Sequence, residues 1–205
     1  MYMGHTTQKE KIMGEIFLTS DLHINHDKDF LWGARGFANV KEMNEAIVEN
    51  WNKVVRPEDT VWNLGDIALS DTAGAIPYLK ALNGTQYWLL GNHDHHNRVK
   101  AICDECPNII VPRHTFVTKI RHGNILIYLG HYPMLTSNYD ADKPFERHVF
   151  NMHGHTHQTT NWHNLDDPFM YHVGVDSHNF TPITLDNAIN DIHEFWKIWK
   201  VTRND

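Results

Sequence analysis

Five short segments carry the side chains that could do chemistry: Asp21-Leu22-His23, Gly65-Asp66, Gly91-Asn92-His93-Asp94, Gly130-His131-Tyr132-Pro133 and Gly154-His155-Thr156-His157. Each lies at or just past the end of a short apolar run, where a strand stops and a loop begins. Carboxylate, imidazole and amide donors without a thiolate suit Mn²⁺, Fe, Ni²⁺ or Zn²⁺ and do not make a closed structural zinc site. The ends of neighbouring parallel strands lie side by side, so residues far apart in the chain can meet there. Five ligand-bearing strand ends therefore predict one metal site. Metal-assisted hydrolysis is the chemistry that such a site supports, because bound cations polarise an oxygen and lower the pKa of water.

The elements that must position these residues can be taken in order. Residues 15–19 read as a buried strand that ends at Ser20-Asp21, and 60–64 and 86–90 as two more that run into Gly65-Asp66 and Gly91-Asn92. An irregular loop follows His23. A helix then starts at Asn39 as N-cap, with Glu42 three residues on, and carries Val40, Met43, Ile47, Trp51 and Val54 at helical spacing. Residues 72–82 predict a second helix, which Pro77 either kinks or splits. This βαβαβ order implies parallel strands with helices on the faces. In the second half, 115–120 and 125–129 flank a Gly-containing hairpin turn, 149–152 and 170–173 are further strands, and 184–199 is a closing helix. The fold class expected is α/β, with the second half forming its own sheet and packing on the first.

Composition sets the outer bounds. The 205 residues suit one domain, 1–205, with 1–12 as a flexible lead-in. Net charge is −7 and no dense Lys/Arg run occurs, which argues against a protein whose task is to coat nucleic acid. Met1 to Gly14 contains no apolar stretch of signal-peptide length, and the longest apolar runs are too short for a bilayer, so a cytoplasmic location without membrane association is expected. Only Cys103 and Cys106 are present. They read as two reduced thiols in a loop before Pro107.

Asp-x-His, Gly-Asp, Gly-Asn-His-Asp, Gly-His-x-Pro and Gly-His-x-His occur here in the order and rough spacing that resemble the calcineurin-like metallophosphoesterases. The resemblance covers about residues 15–176. It implies a four-layer αββα sandwich of two mixed β-sheets flanked by helices. It also implies two divalent ions, with Mn²⁺ ahead of Fe, Ni²⁺ or Zn²⁺. Carried over by motif, one ion would be held by Asp21, His23, Asp66 and His157, and the other by Asp66, Asn92, His131 and His155. The reaction implied is hydrolysis of a phosphate mono- or diester by a metal-bridging hydroxide, with His93 protonating the leaving oxygen.

Other roles stay open at this point. Asp94 either orients His93 or caps the following helix. Arg35 and His26, on the loop after His23, are candidate substrate contacts, since a guanidinium suits bidentate phosphate recognition; otherwise Arg35 is a solvated turn residue. Phe30, Leu31, Trp32 and Phe37 either shape a pocket or bury against a partner, and Tyr132 either faces the cleft or packs. His153 reads as structural. The segment Gly65-Asp66-Ile67-Ala68-Leu69 lacks the second Asp and the Arg of the phosphoprotein phosphatases, which disfavours a protein substrate. A small phosphate ester is the expected partner. The alternatives are a cyclic-nucleotide phosphodiesterase, a nuclease, which would need a positive groove such as Lys28, Arg35, Lys143 and Arg147 could form, and a non-catalytic metal-binding scaffold.

Overall fold

The computed structural model describes residues 14–113, 116–136, 138 and 142–202. The lead-in 1–12 and the first residue of the expected hairpin, Thr115, lie outside them. The first half contains β1 (Ile16–Thr19), the single turn α1 (Asp29–Trp32), α2 (Val40–Val54), β2 (Thr60–Asn63), α3 (Thr72–Lys80), β3 (Thr85–Trp88), α4 (His96–Glu105) and β4 (Ile109–Ile110). The second half contains β5 (Val117–His122), β6 (Ile125–Gly130), β7 (Val149–His153), β8 (Met170–His172), β9 (Ile183–Thr184) and α5 (Leu185–Thr202). One sheet has the order β4-β3-β2-β1-β9, parallel from β1 to β4; the other has the order β5-β6-β7-β8, with β6 to β8 parallel.

Adjacent residues of β1 explain why its sequence shows no polar alternation. Side chains of a strand point to opposite faces in turn. Phe17 joins the cluster under the helices with Met43, Ile47, Trp51, Leu79 and Ile102. Leu18 joins Leu64, Leu89, Ile127, Leu129 and Phe150 between the sheets. A strand buried on both faces must be apolar throughout. Helix α5 contributes Leu185, Ala188, Ile189 and Ile192 to the second cluster. The result is the expected pair of mixed sheets packed together and flanked by helices.

Local signals place several ends. Asn39 Oδ1 accepts from the Glu42 N–H at 2.9 Å, and Glu42 Oε2 accepts from the Ala38 N–H at 2.7 Å, so the chain enters α2 with its first N–H groups satisfied. Pro77 sits inside one continuous α3.

Three differences from the sequence reading have physical causes. Strand β9 takes Ile183 and Thr184 back to the first sheet, antiparallel to β1, which a two-residue strand is too short to signal by periodicity. The loop after His23 contains α1, one turn whose residues carry no helical repeat. Cys103 lies within α4 and Cys106 at its C-cap, not in a loop; both are free, and burial pushes both thiols above their usual range. Among the described residues no helix is long and apolar enough to cross a membrane.

Candidate metal centre

The site is the continuation of strands past their regular ends. Beyond β1 and β2 the two chains keep pairing: Asp21 N–H donates to Gly65 O at 2.9 Å, His23 N–H to Asp66 O at 3.0 Å and Ile24 N–H to Ile67 O at 2.9 Å. Past β6 and β7, Gly154 N–H donates to His131 O at 3.0 Å. The backbone there is strained. Asp21, His23, Asp66, His155 and His157 have φ of 57°, 52°, 54°, 70° and 49°, the left-handed region that costs a non-glycine residue roughly 1–3 kcal/mol. Strain of this kind persists only where surrounding structure over-determines it, and it clusters at functional sites.

The geometry brings together all seven residues expected to ligate metal. His23 Nε2 lies 3.1 Å from His157 Nε2, and Asp66 Oδ2 lies 3.8 Å from His23 Nε2 and 3.5 Å from His131 Nε2. His131 Nε2 is 2.9 Å from Asn92 Oδ1 and 3.2 Å from His155 Nδ1. Asp21, His23 and His157 each offer a ligand atom within 4.8 Å of one another, as do Asp21, Asp66 and His131. Asp66 is thus placed between the two imidazole pairs, and Asp21 also reaches both groups.

The donor set fits divalent cations. Imidazole nitrogens that face each other at about 3 Å repel unless a proton or a cation lies between them, and the outer nitrogens of His131 and His157 are already tied. His131 Nδ1 is 2.9 Å from Leu64 O, and His157 Nδ1 is 2.9 Å from Asp176 Oδ2. With a cation bound, those acceptors would take the Nδ1 protons and leave the Nε2 lone pairs facing inward, the arrangement of metal-bound imidazoles.

Close backbone approach closes the site from below. A Cβ on Gly91 would collide with the Asp66 carboxylate, and one on Gly154 with Ser20 and Asp21. Glycine at both positions lets the loops reach the ligands.

Asp176 was not singled out in the sequence. It stands on a 3-10 turn, Val175–Ser177, that follows β8. Its oxygens accept from His157 and from Arg35, at 2.8 Å from Arg35 Nε and 2.9 Å from Arg35 Nη2. The signal that could have found it is Gly174-Val175-Asp176 after an apolar run, close to the pattern of the other ligand segments but with Val175 between the glycine and the donor.

Two expected roles are corrected. Arg35, a candidate phosphate contact, spends its remaining N–H groups on Asp21 O at 2.7 Å, Leu22 O at 3.1 Å and Met43 Sδ at 3.6 Å. Its side chain is only 3% exposed, and no N–H is left for a phosphate. It is a positioning residue. Asp94, a candidate catalytic group, neither orients the His93 ring nor caps α4, whose N-cap is His95. Its carboxylate accepts from the N–H groups of Asp66 at 2.7 Å, Gly91 at 2.9 Å and Ile67 at 3.2 Å, which staples the β2 and β3 loops together.

The remaining candidates face the opening. His93 is exposed and its ring lies 5.9 Å from that of His23, while its backbone N–H donates to Asp66 Oδ1 at 2.9 Å. His26 stacks on His23 at 5.3 Å. Tyr132 sets its ring edge against His155 at 4.6 Å and stays 48% exposed. Of the four basic residues a nuclease would need, Arg35 is consumed by Asp176, and Lys143 and Arg147 line a separate groove with Arg121.

Burial governs the electrostatics. It pushes the Asp21 carboxyl up to about 6. Burial acts the same way on Asp66, but the hydrogen bond and charge of His131 outweigh it and hold that carboxyl down at about 2. The hydrogen bond to Asp176 raises His157. Behind the ligands, burial drives His153 down to about 4 and His172 down to about 3. From their ordinary value of 6.5, the unfolded chain takes up two protons that the folded chain refuses until those lower values. Stability of the metal-free protein should therefore fall as pH drops from 6.5 toward 4, by about 1.4 kcal/mol per pH unit for each of the two groups. Asp21, Asp94 and Asp167, whose carboxyls burial raises, oppose this, while His23 and His178, which burial lowers, reinforce it. Urea midpoints at pH 7 and pH 5 check the prediction, and equal midpoints would contradict it.

No family model matches the chain. It is 33% identical over 191 residues to MJ1445, an uncharacterized protein of Methanocaldococcus jannaschii, a match that covers 89% of this chain and 93% of that protein. It is 28% identical over 209 residues to the gene 66 protein of Mycobacterium phage D29, covering 89% of this chain and 99% of the phage protein. The crystal structure of AQ665 from Aquifex aeolicus, a protein of unknown function, superimposes with a TM-score of 0.64 at 23% identity, covering 87% of this chain and 99% of that one. This last likeness is one of fold.

Proposed function

We propose that this chain, which belongs to the same family as the Methanocaldococcus jannaschii protein MJ1445, is a metal-dependent phosphoesterase acting on a phosphate mono- or diester. The observation that carries the reading is the convergence of Asp21, His23, Asp66, Asn92, His131, His155 and His157 from five strand ends, with Asp66 between two imidazole pairs. The order of the motifs, which resembles the calcineurin-like metallophosphoesterases, supports the ester class.

Two divalent ions fit the donor set, Mn²⁺ ahead of Fe, Ni²⁺ or Zn²⁺. Asp21, His23, Asp66 and His157 would hold one, and Asp66, Asn92, His131 and His155 the other. Ions of this kind supply polarisation of the phosphoryl oxygens and a lowered pKa for water.

The chain's own residues do the rest. Asp176 and Leu64 O hold the His157 and His131 rings so that their Nε2 atoms face inward. Asp94 fixes the β2 and β3 loops, and with them the spacing of Asp66 and Asn92. His93 is exposed beside His23 with its backbone anchored on Asp66, which suits it to give the leaving oxygen its proton.

The test is to strip metal with a chelator, add back Mn²⁺, Fe²⁺, Ni²⁺ or Zn²⁺ in turn, and assay an aryl monoester, an aryl diester and single-stranded DNA. Metal-dependent hydrolysis of at least one aryl ester is expected; no hydrolysis of any ester with any of the four metals overturns the reading. His93→Ala should lower turnover of an alkyl ester by about 10²-fold, the lower end of general acid catalysis, with metal content unchanged. The loss should be smaller on a p-nitrophenyl ester, whose leaving group needs no proton. An equal loss on both esters removes His93 from the proton-donor role.

A further inference from the structure

We infer that the cavity beside the metal centre receives the organic part of the substrate and that this part is apolar and aromatic, so the substrate class is a phosphate ester of a phenol or an arylalkyl alcohol. The inference rests on the phosphoesterase reading and narrows it. The cavity has a volume of about 720 Å³, and His23, His93 and His157 form one wall. That volume is in the range of small-molecule sites, about 300–1,000 Å³. Any ester whose phosphorus sits at the metal ligands has this space open to its organic group.

The other walls decide which group. They are built mainly by Phe30, Leu31, Ala34, Leu69 and Phe180, with His26 and Thr159 the polar side chains among them. The charged side chains among the lining residues are already paired: Arg35 spends all its N–H groups on Asp176, Asp21 O, Leu22 O and Met43, and both Asp176 oxygens accept from Arg35, with one also facing His157. A sugar or nucleotide would bring more hydroxyl or base hydrogen-bonding groups into these walls than His26 and Thr159 can match, and would lose the hydration of the rest, which is costly. An aromatic ring loses nothing of that kind and gains the burial of its faces. Phe30 is 69% exposed on α1, with its ring edge-on to His26 at 5.8 Å. An aromatic side chain held beside a cavity, outside the core, is placed to stack on an incoming ring.

The experiment separates this inference from the reading beneath it. Binding of methylphosphonate, phenylphosphonate and ribose 5-phosphate to the Mn²⁺-loaded protein is measured by calorimetry, beside the ester assays. Phenylphosphonate is expected to bind roughly 10- to 100-fold more tightly than methylphosphonate, as burial of a phenyl ring provides. In Phe30→Ala and in Leu69→Ala that ratio should shrink severalfold; Phe30 is largely exposed, so its removal leaves the core intact. Equal affinities for the two phosphonates, or ribose 5-phosphate binding as tightly as phenylphosphonate, overturn the aromatic pocket while aryl ester hydrolysis still upholds the phosphoesterase. Failure of every ligand to bind together with no ester hydrolysis overturns both.

Discussion

Asp66→Asn is expected to lower turnover by about 10³-fold or more, because bound metal supplies several kcal/mol of charge stabilisation and each 1.4 kcal/mol is a factor of ten. The residue is 1% exposed, and its Oδ2 lies 3.8 Å from His23 Nε2 and 3.5 Å from His131 Nε2. Asn keeps the volume and leaves an oxygen for the His93 N–H, so folding should survive. What is lost is the negative charge between the imidazole pairs. Elemental analysis should find fewer bound ions per chain, and the rise in melting temperature on adding Mn²⁺ should shrink, since ligand stabilisation scales with affinity for the folded state. Wild-type turnover with a full metal complement would remove Asp66 from the centre.

Asp176→Ala should cost both stability and metal. The Arg35 side chain is 3% exposed and has Asp176 as its only carboxylate partner among the described residues, so the substitution leaves a buried guanidinium uncompensated, a loss of roughly 3–5 kcal/mol. The His157 ring loses the acceptor that fixes its tautomer, and loss of such a partner lowers metal affinity about 10- to 100-fold. Arg35→Met separates the two effects, because it removes the ion pair and leaves Asp176 to His157. It should lower stability while weakening metal binding less than Asp176→Ala does. Urea unfolding of the metal-free protein and Mn²⁺ titration read the two quantities independently. If Asp176→Ala alters neither, the contact between Asp176 and His157 does not position the ligand.

Much of the frame could be read from residue order. The apolar run before Asp21, the run before Gly65 and the run before Gly91 mark β1 to β3, because a parallel strand covered on both faces has no polar positions to hide it. Asn39 and Glu42 mark the start of α2 because their side chains answer its free N–H groups. The roles of Arg35 and Asp94 were not legible. An arginine beside two glycines reads equally as a phosphate contact or a turn residue, and what settles it is Asp176, 141 residues away. Asp94 looks like a helix cap because it precedes α4, yet the N–H groups it binds on Asp66 and Ile67 come from another loop.

The sequence by itself determined which donors are present, that they end strands, and the parallel order that sets those strands side by side, since all three follow from residue type and short-range period. Tertiary structure alone decided how the donors face. The left-handed backbone at five ligand positions, the Nε2 atoms turned inward by Asp176 and Leu64 O, and the apolar walls of the neighbouring cavity all depend on contacts between distant segments. Such contacts leave no local trace, because a side chain's direction is set by whichever partner the fold delivers to it.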